Sequence, residues 1–404
     1  MISRWQEGSV RRGLATRRGV HLTGARQCGK TTLAEFISAG VMRHLTLDDE
    51  VYLRAAKSSP SEFVDRIDGR TLVIDEIQKA PSLLDAIKIK LDHSNEKGQY
   101  LLTGSSNLRF MKSVRDSLAG RLKTVRLRTL ALGEIIGGKG DFLDRAFAHD
   151  FTACEKLDKR DIIRLAFEGG YPEARELEAP DRRDWFEGYI TDLIVKDIQD
   201  VAEIRKVEAV RKTVEWLLAY TSKFFDLKDL CGQAQISRPT LDTYLEALKA
   251  LYIVDEVEPW AKSDYARIGK RSKYFASDPS LVANVLGWNE ERTFFDEDAN
   301  GKLVETWVHH ELAALIDKSV GYRLSHYRDS DKKEIDFIVE RDDGAIVGLE
   351  VKAGSVGSSD FKHIRWFKEN LVKGAFTGIV LYSGSETLSF GEGLYAVPLA
   401  ELGV

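Results

Sequence analysis

Short apolar runs alternate with helix-like periodicities along the first third of this chain. Apolar runs at 20–23, 72–75 and 100–102 lead into small or acidic residues, a pattern typical of strands buried in a parallel sheet. The segment 32–37, which follows the first run, has the spacing of a helix. The alternation predicts an α/β domain over residues 1–150, with a parallel sheet flanked by helices.

The pattern becomes helical from about residue 155, and we interpret residues 151–205 as a helical connector. Apolar and charged positions recur there on one helical face. They are Tyr189, Asp192, Leu193, Lys196 and Asp197. This spacing is typical of a packing face with an acidic edge.

Residues 206–290 have the element order of a winged helix. A short helix over 226–231 is followed by a turn, and Ser237 is the predicted N-cap of a helix that begins at Arg238. Residues 252–257 then have the composition of a strand. Helix, turn, helix and strand in this order predict a winged-helix domain.

The last part of the chain, residues 291–404, combines a helix with a hairpin. A helical periodicity begins near Lys302, and alternating apolar positions predict strands over 334–339 and 346–352. Residues 342–344 read Asp-Asp-Gly and form a typical turn. This order predicts a second α/β domain.

A complete phosphate-binding motif lies between the first predicted strand and the first predicted helix. Residues 24–31 read G-A-R-Q-C-G-K-T, which is the pattern G-x-x-x-x-G-K-T. The glycines let the backbone wrap a triphosphate, the lysine can reach the β- and γ-phosphates, and the threonine hydroxyl can hold Mg²⁺. The predicted nucleotide-binding residues are Gly24, Gly29, Lys30, Thr31 and Thr32. The motif predicts ATP and Mg²⁺ as cofactors.

A second ATPase signal ends the strand over 72–75. Asp75 is predicted to ligate Mg²⁺ through water, and Glu76 to polarise the attacking water. Thr103 and Ser105 follow the next strand. Either could sense the γ-phosphate or orient water, and the alternative is a turn that caps the next helix.

Arg121 lies within a strongly basic stretch, residues 109–128, and has three possible roles. It could act as an arginine finger or sensor, in trans, on the γ-phosphate of a neighbouring subunit. It could also contact nucleic acid, or belong to a solvated face. The sequence leaves these three alternatives open.

The segment 261–275 is basic and is predicted to be the hairpin wing of the winged helix. Its basic residues, with one acid, Asp264, among them, are Lys262, Arg267, Lys270, Arg271 and Lys273. Such a wing could lie along a phosphate backbone. The predicted DNA-binding residues are Arg238, Thr240, Arg267, Lys270 and Arg271. The alternative is a protein–protein module with basic decoration.

The C-terminal hairpin carries a set of residues typical of metal-dependent nucleases. Asp336 and Glu350 lie on adjacent strands, and two such carboxylates can chelate Mg²⁺ and activate water. Lys352 shares a strand face with Glu350 and can position that water. Glu305, on the preceding helix, could complete the metal site. The alternative is a surface hairpin with a Glu–Lys pair.

These motifs resemble two known groups of proteins. The ATPase motifs are similar to the AAA+ class and to a large prokaryotic family that joins such an ATPase to a C-terminal domain of unknown function. The segments that carry this resemblance are 24–33, 74–78, 102–106, 117–121, 168–172, 189–197 and the C-terminal third. Family members usually have Pro and Val where this chain has Ala25 and Cys28, and neither side chain is needed for phosphate contact. The hairpin with its carboxylates resembles the restriction-endonuclease-like fold.

The resemblance implies ATP binding, subunit contacts through the connector and, by analogy with AAA+ proteins, a homo-oligomer such as a hexamer.

The formal net charge of −5 over 404 residues argues against a globally basic nucleic-acid coat. Three widely spaced cysteines favour a reducing cytoplasm, and no apolar run has the length of a membrane span.

Two functional hypotheses follow from these observations. The first is an oligomeric, DNA-associated ATPase with a metal-dependent nuclease-like domain. The second is a nucleotide-dependent switch that binds a protein and has no nuclease activity.

Overall fold

The computed structural model describes residues 2–40, 42–65, 70–105, 118, 120–152, 156–198, 206–263 and 270–404. These residues form an N-terminal α/β domain, a helical middle that ends in a two-stranded ribbon, and a C-terminal mixed sheet. No helix within these ranges combines the length and the apolar character needed to cross a membrane.

The N-terminal sheet is parallel, as the sequence predicts. Its strands in the described residues are β1 (Gly19–Thr23), β2 (Arg43–Thr46), β3 (Leu72–Asp75), β4 (Tyr100–Gly104) and β5 (Leu122–Arg126). They lie in the order β2-β3-β4-β1-β5, so β1 and β4 are central. Every residue of β1, β3 and β4 is buried, which explains their continuous apolar sequences.

The helices that accompany this sheet are α1 (Glu7–Thr16), α2 (Lys30–Ser38), α3 (Glu50–Ser58), α4 (Pro60–Val64) and α5 (Ser82–His93). Two more helices follow β5, α6 (Leu132–Ile136) and α7 (Phe142–Ala148), and they contact the C-terminal domain. Because all the strands run in one direction, the loops after β1, β3 and β4 meet at one edge of the sheet. This edge carries the predicted nucleotide site.

The middle of the chain is helical up to the ribbon. Its helices are α8 (Lys159–Glu168), α9 (Pro172–Arg175), α10 (Ala179–Asp192), α11 (Val207–Ala219), α12 (Leu227–Ala234) and α13 (Arg238–Ala250), and a π-helical turn spans Leu193–Asp197. The Ser237 hydroxyl accepts the Thr240 N–H at 3.4 Å, so the predicted N-cap of α13 is present. The order helix, helix, strand matches the predicted order, and the assignment as a winged helix stays a prediction.

The ribbon consists of two antiparallel strands, β6 (Val254–Val257) and β7 (Lys273–Ala276). Two short helices follow it, α14 (Pro279–Val285) and α15 (Glu290–Phe295). Two interstrand pairs, Asp255 with Phe275 and Val257 with Lys273, set its register.

The C-terminal domain is a mixed sheet that packs against a long helix, α16 (Glu297–Lys318). Its strands in the described residues are β8 (Tyr322–Arg328), β9 (Glu334–Arg341), β10 (Ile346–Lys352), β11 (Phe376–Tyr382), β12 (Leu388–Gly391) and β13 (Leu394–Pro398). They lie in the order β12-β13-β11-β10-β9-β8, and helix α17 (Lys362–Leu371) precedes β11. The predicted hairpin is therefore β9–β10, and β10 pairs with β11 in parallel.

Candidate nucleotide site and carboxylate cluster

The phosphate-binding loop joins β1 to α2, as the motif requires. Gly29 has a φ of 97°, in the left-handed region that favours glycine. A Cβ atom on Gly24 would lie 2.0 Å from the Leu127 carbonyl oxygen, so a side chain at this position has no room. The two glycines of the motif are therefore needed for different reasons, one for backbone conformation and one for close packing.

The side chains of Lys30 and Thr31 in this loop donate hydrogen bonds to oxygen atoms of the protein itself. The Lys30 ammonium donates to the carbonyl oxygens of Gly24 and Ala25, at 3.1 and 2.7 Å. The Thr31 hydroxyl donates to the Asp75 carboxylate, at 3.1 and 3.0 Å from its two oxygens. The structure thus brings the last residue of the motif next to the predicted magnesium ligand.

Asp75 lies at the centre of a group of hydroxyls. Thr103 on β4 also donates to its carboxylate, and Thr46 at the end of β2 donates at 3.5 Å. Thr46 was missed by sequence analysis, because only the alignment of β2 beside β3 brings it to Asp75. A carboxylate and a threonine hydroxyl are the hard oxygen ligands that Mg²⁺ prefers, so these residues fit the ion that the motif implies.

Glu76 follows Asp75 in a left-handed backbone conformation, with a φ of 58°. This conformation is sparsely populated by non-glycine residues and is found preferentially at functional sites. Its N–H donates to the Thr103 hydroxyl at 3.3 Å, and its carboxylate accepts a hydrogen bond from Gln78. Burial raises the pKa of Glu76, although the positive charge of Lys30 opposes that rise.

A cavity of about 830 Å³ opens beside the loop, and Lys30, Thr31, Thr32 and Glu76 line it. Its far wall comes from the segment around α9, with Pro172, Glu173 and Glu176. The helical middle therefore helps to enclose the nucleotide site.

Arg4 supports the loop from the N-terminal segment. Its guanidinium donates to the carbonyl oxygens of Cys28 and Arg128, at 2.9 and 2.6 Å, and pairs with Glu134 at 3.1 Å. No local pattern in the sequence indicates this role, because Arg4 lies outside the motif. It holds the loop against the segment that follows β5.

Arg121 lies away from the phosphate loop of its own chain. It precedes β5, and the neighbouring Leu122 pairs with Gly19 at the amino end of β1, whereas the loop follows the carboxyl end of β1. Its guanidinium pairs with Asp92 at 2.5 Å. Its proposed action on a neighbouring subunit stays a prediction.

A cluster of four carboxylates lies where the ribbon meets the C-terminal domain, and an ammonium group is buried against three of them. This carboxylate cluster consists of Glu305, Glu334, Asp336 and Glu350. The Lys273 nitrogen lies 2.5 Å from Glu305, 3.1 Å from Glu334 and 3.8 Å from Asp336, and its side chain is 2% exposed. Sequence analysis treated Lys273 as a wing residue beside a phosphate backbone, and its burial contradicts that interpretation.

The charges of this cluster explain the direction of its pKa values. Burial alone would lower the pKa of Lys273, but Glu305, Asp336 and Glu334 outweigh burial and raise it, so the ammonium stays charged. Burial and the neighbouring Asp336 charge raise the pKa of Glu350. The cluster carries more negative charge than the one Lys273 ammonium neutralises, which favours the protonated form of Glu350.

The predicted nuclease residues are close together, but their arrangement is not that of a metal site. Phe337 pairs with Leu349 across the hairpin, so Asp336 and Glu350 lie at neighbouring positions. Lys352 is half-exposed and lies 3.8 Å from Asp360. Among the described residues, no group of three or more His, Cys, Asp or Glu side chains is placed to hold a metal ion.

The predicted DNA-binding residues have mixed positions. Arg238 and Arg271 are exposed and pair with Asp242 and Asp226, at 2.9 and 3.2 Å. Lys270 is also exposed, whereas the Thr240 hydroxyl bonds to Ser237 at 2.8 Å within the N-cap of α13. Arg267 lies outside the described residues. DNA contact at these positions stays a prediction.

The ribbon is attached to the edge of the C-terminal sheet. The Trp260 N–H donates to the His326 carbonyl oxygen at 2.6 Å, and the His326 N–H donates to the Glu258 carbonyl oxygen at 3.1 Å. The segment that leaves β6 therefore extends this sheet beside β8, and the ribbon is not an isolated wing.

Three family models match separate parts of the chain. Residues 16–136 match an AAA domain. Residues 159–292 match the domain of unknown function DUF8612, and residues 300–402 match the domain of unknown function DUF4143.

The chain is also similar to whole proteins. Uncharacterized proteins Rv2008c of Mycobacterium tuberculosis and Mb2031c of Mycobacterium bovis are each 26% identical to it, over 97% of this chain and 82% of their own length. Among solved structures, the Walker-type ATPase PABY2304 of Pyrococcus abyssi is 14% identical, with a TM-score of 0.43, over 70% of this chain and 96% of that chain. The STAND protein PH0952 of Pyrococcus horikoshii, which has a tetratricopeptide repeat sensor, is 14% identical, with a TM-score of 0.27. The match covers 78% of this chain and 45% of that chain.

The AAA match covers the loop after β1, the end of β3 and the end of β4, which are the segments that build the nucleotide site. The N-terminal part of this chain is therefore an AAA-type, nucleotide-binding ATPase domain.

Proposed function

We propose that this protein binds ATP with Mg²⁺ and hydrolyses it at the edge of the N-terminal sheet. The observation that carries this proposal is the contact between Thr31 and Asp75, at 3.0 Å, beside the buried Lys30 and directly before Glu76. These are the residue types that phosphoryl transfer needs. Lys30, Thr31 and Glu76 line one cavity, and Asp75 is hydrogen-bonded to Thr31.

Each side chain has a distinct task in this reaction. The Lys30 ammonium turns from the loop carbonyls to the β- and γ-phosphates, and the N–H groups of the loop hold the phosphate oxygens. Thr31 and Asp75 would hold Mg²⁺, and the bound ion would supply positive charge beside the phosphates. Glu76 accepts a proton from the attacking water, and Thr103 fixes the backbone of Glu76 and the carboxylate of Asp75.

The proposed assembly is a homo-oligomer, with a hexamer as the AAA+ analogy. In such an assembly, Arg121 stabilises the γ-phosphate of the neighbouring subunit. Its position at the opposite edge of the sheet from its own loop supports action in trans.

DNA is the proposed macromolecular partner, and Arg238, Lys270 and Arg271 are the residues proposed to contact it. The cytoplasm is the proposed compartment.

The test of the nucleotide site is Lys30→Ala. We expect this variant to lose binding of a fluorescent ATP analogue and to lose ATP turnover, because the ammonium is the principal positive charge of the loop. Lys90→Ala is the matched control, since Lys90 is an exposed lysine of the same domain. Unchanged turnover in the Lys30 variant would disprove the assignment of this loop.

The test of the partner is ATP turnover with and without DNA. Stimulation by DNA would support the DNA-associated ATPase. Turnover that does not respond to double-stranded, single-stranded or branched DNA favours the second hypothesis, a nucleotide-dependent switch that recognises a protein.

A second candidate function is metal-dependent cleavage of DNA by the C-terminal domain. The neighbouring positions of Asp336 and Glu350 on β9 and β10, with Glu305 on α16 near Asp336, favour it. The Lys273 ammonium opposes it, because it occupies the space between these carboxylates that a cation would need. Cleavage of DNA with Mg²⁺ or Mn²⁺ that is lost in Glu350→Ala would support the nuclease.

A further inference from the structure

The ribbon of β6 and β7 connects the two sites described above. Asp255 on β6 accepts hydrogen bonds from Arg126 at 2.8 Å and from Arg128 at 2.6 Å, which lie at the end of β5 and just after it. Lys273 on β7 reaches into the carboxylate cluster of the C-terminal domain. One strand of the ribbon is thus fixed by charge to the ATPase domain, and the other to the C-terminal domain.

The ribbon also touches the strand that enters the phosphate loop. The Tyr252 hydroxyl, two residues before β6, bonds to the Thr23 hydroxyl at 2.8 Å. Thr23 is the last residue of β1 and directly precedes Gly24. Tyr252 is held in a left-handed conformation with a φ of 59°, and the Arg126 guanidinium lies 4.6 Å from the centre of its ring. A movement of the loop therefore acts directly on the start of the ribbon.

The contacts at both ends of the ribbon are buried. Arg128 is 7% exposed and also pairs with Asp317 at 2.6 Å, while Asp255 is 10% exposed in its side chain. Charges buried in this way are strongly destabilising when one partner is withdrawn alone. Such contacts favour two discrete arrangements over gradual deformation.

We propose that the ribbon is a latch that couples nucleotide binding at the phosphate loop to the opening of the carboxylate cluster. In the latched arrangement, the Lys273 ammonium fills the cluster. When the loop binds nucleotide, the Thr23–Tyr252 and Arg126–Asp255 contacts shift, and the ribbon withdraws Lys273. This inference rests on the proposed nucleotide site, and it deepens that proposal by naming its output.

The direction of the coupling follows from the contacts of the loop. The latched arrangement coexists with a loop in which Lys30 bonds to its own carbonyls and Thr31 bonds to Asp75. Nucleotide phosphates and Mg²⁺ compete for these same groups. In the proposed coupling, nucleotide therefore opposes the latched arrangement, and because linkage is reciprocal a weakened latch is expected to raise the affinity for nucleotide.

The test measures nucleotide affinity in variants of a residue remote from the nucleotide. Lys273→Met removes the ammonium. The double variant Lys273→Met with Glu305→Gln also removes one buried negative charge, so it is expected to stay folded even if the single variant does not. We expect the double variant to bind a non-hydrolysable ATP analogue with Mg²⁺ at least about fivefold more tightly than wild type. Lys333→Met, in a charge pair with Asp331 on the same domain, is the control.

A second readout is hydrogen exchange of β9 and β10 in the wild-type chain. Saturating nucleotide is expected to speed exchange there, and Tyr252→Phe is expected to reduce that response, because it removes the bond to Thr23 while it keeps the ring. Equal nucleotide affinity in the double variant and the control, or exchange that does not respond to nucleotide, would overturn the latch.

Failure of the latch and failure of the nucleotide site give different results. If Lys30→Ala still binds the analogue as tightly as wild type, the proposed nucleotide site is wrong. If Lys30→Ala loses binding and the double variant matches the control, the nucleotide site stands and the latch alone is wrong.

Discussion

The two domains of this molecule hold their acidic side chains in opposite ways. At the nucleotide site, the Asp75 carboxylate accepts hydrogen bonds from threonine hydroxyls, which are neutral. In the carboxylate cluster, the acids surround the Lys273 ammonium, which carries a full charge. A carboxylate held by hydroxyls keeps its negative charge available to a cation, whereas carboxylates that already hold an ammonium have their cation built in.

Residue types alone therefore do not define a metal site. Both places combine acids with a basic residue, and both were interpreted as magnesium sites from the sequence. The two places differ in where the lysine ammonium lies relative to the acids. Lys30 lies beside the acids of its site and bonds to backbone carbonyls, while Lys273 lies between its acids.

The largest expected effect comes from removal of the built-in cation. Lys273→Met should lower the free energy of unfolding by about 3–5 kcal/mol, because it leaves buried carboxylates without their partner. The double variant with Glu305→Gln should recover much of this loss. Urea denaturation of both variants and of the Lys333→Met control measures these changes in the free energy of unfolding. A single variant as stable as wild type would show that the ammonium contributes no more than a surface charge.

The second prediction concerns the acid that follows Asp75 at the nucleotide site. Glu76→Gln should keep the binding of nucleotide and lower ATP turnover by about a hundredfold or more, because an amide cannot accept the proton of the attacking water. Steady-state turnover and analogue binding together make the measurement. Glu62→Gln, an exposed position of the same domain, is the control. Turnover near the wild-type rate would remove Glu76 from the catalytic set.

The sequence predicts local features of this molecule well. The phosphate loop, the strand that ends in Asp75 and the β9–β10 hairpin are each encoded within a few consecutive residues. Their positions in the structure follow the predicted ones closely. The AAA match confirms the ATPase domain, and the parallel sheet confirms its α/β architecture.

Contacts between distant segments could not be predicted in this way. Lys273 meets Glu305 across a separation of 32 residues, and Arg128 meets Asp255 across 127. In the sequence, Lys273 is one of several basic residues of a predicted wing, and no pattern separates the one that is buried from those that are exposed. Arg4 and Thr46 were missed for the same reason, since only the tertiary fold brings them to the loop and to Asp75.

The smallest expected effect concerns a third way of holding an acid, which completes the comparison. Glu311 on α16 is buried, and its carboxylate accepts the Leu132 N–H at 3.1 and 3.0 Å. Burial raises its pKa to about 7, although the neighbouring His310 and the hydrogen bond from Leu132 oppose that rise. The hydrogen bond from Leu132 is therefore not enough to offset the effect of burial on the pKa of this carboxyl.

The sign of the resulting pH dependence is fixed by this raised pKa. Between the ordinary pKa of a glutamate and about 7, the folded chain binds a proton that the unfolded chain has lost, so the stability contributed by Glu311 falls as the pH rises. Glu311→Gln removes this titration. As the pH rises through this window, the unfolding free energy of the variant should therefore increase relative to that of wild type by about 1.4 kcal/mol per pH unit. Glu96→Gln, at an exposed position, is the control, and parallel pH profiles for the Glu311 variant and wild type would contradict the assignment. A confirmed slope would establish that the hydrogen bond from Leu132 and the neighbouring His310 do not offset the burial of the Glu311 carboxylate.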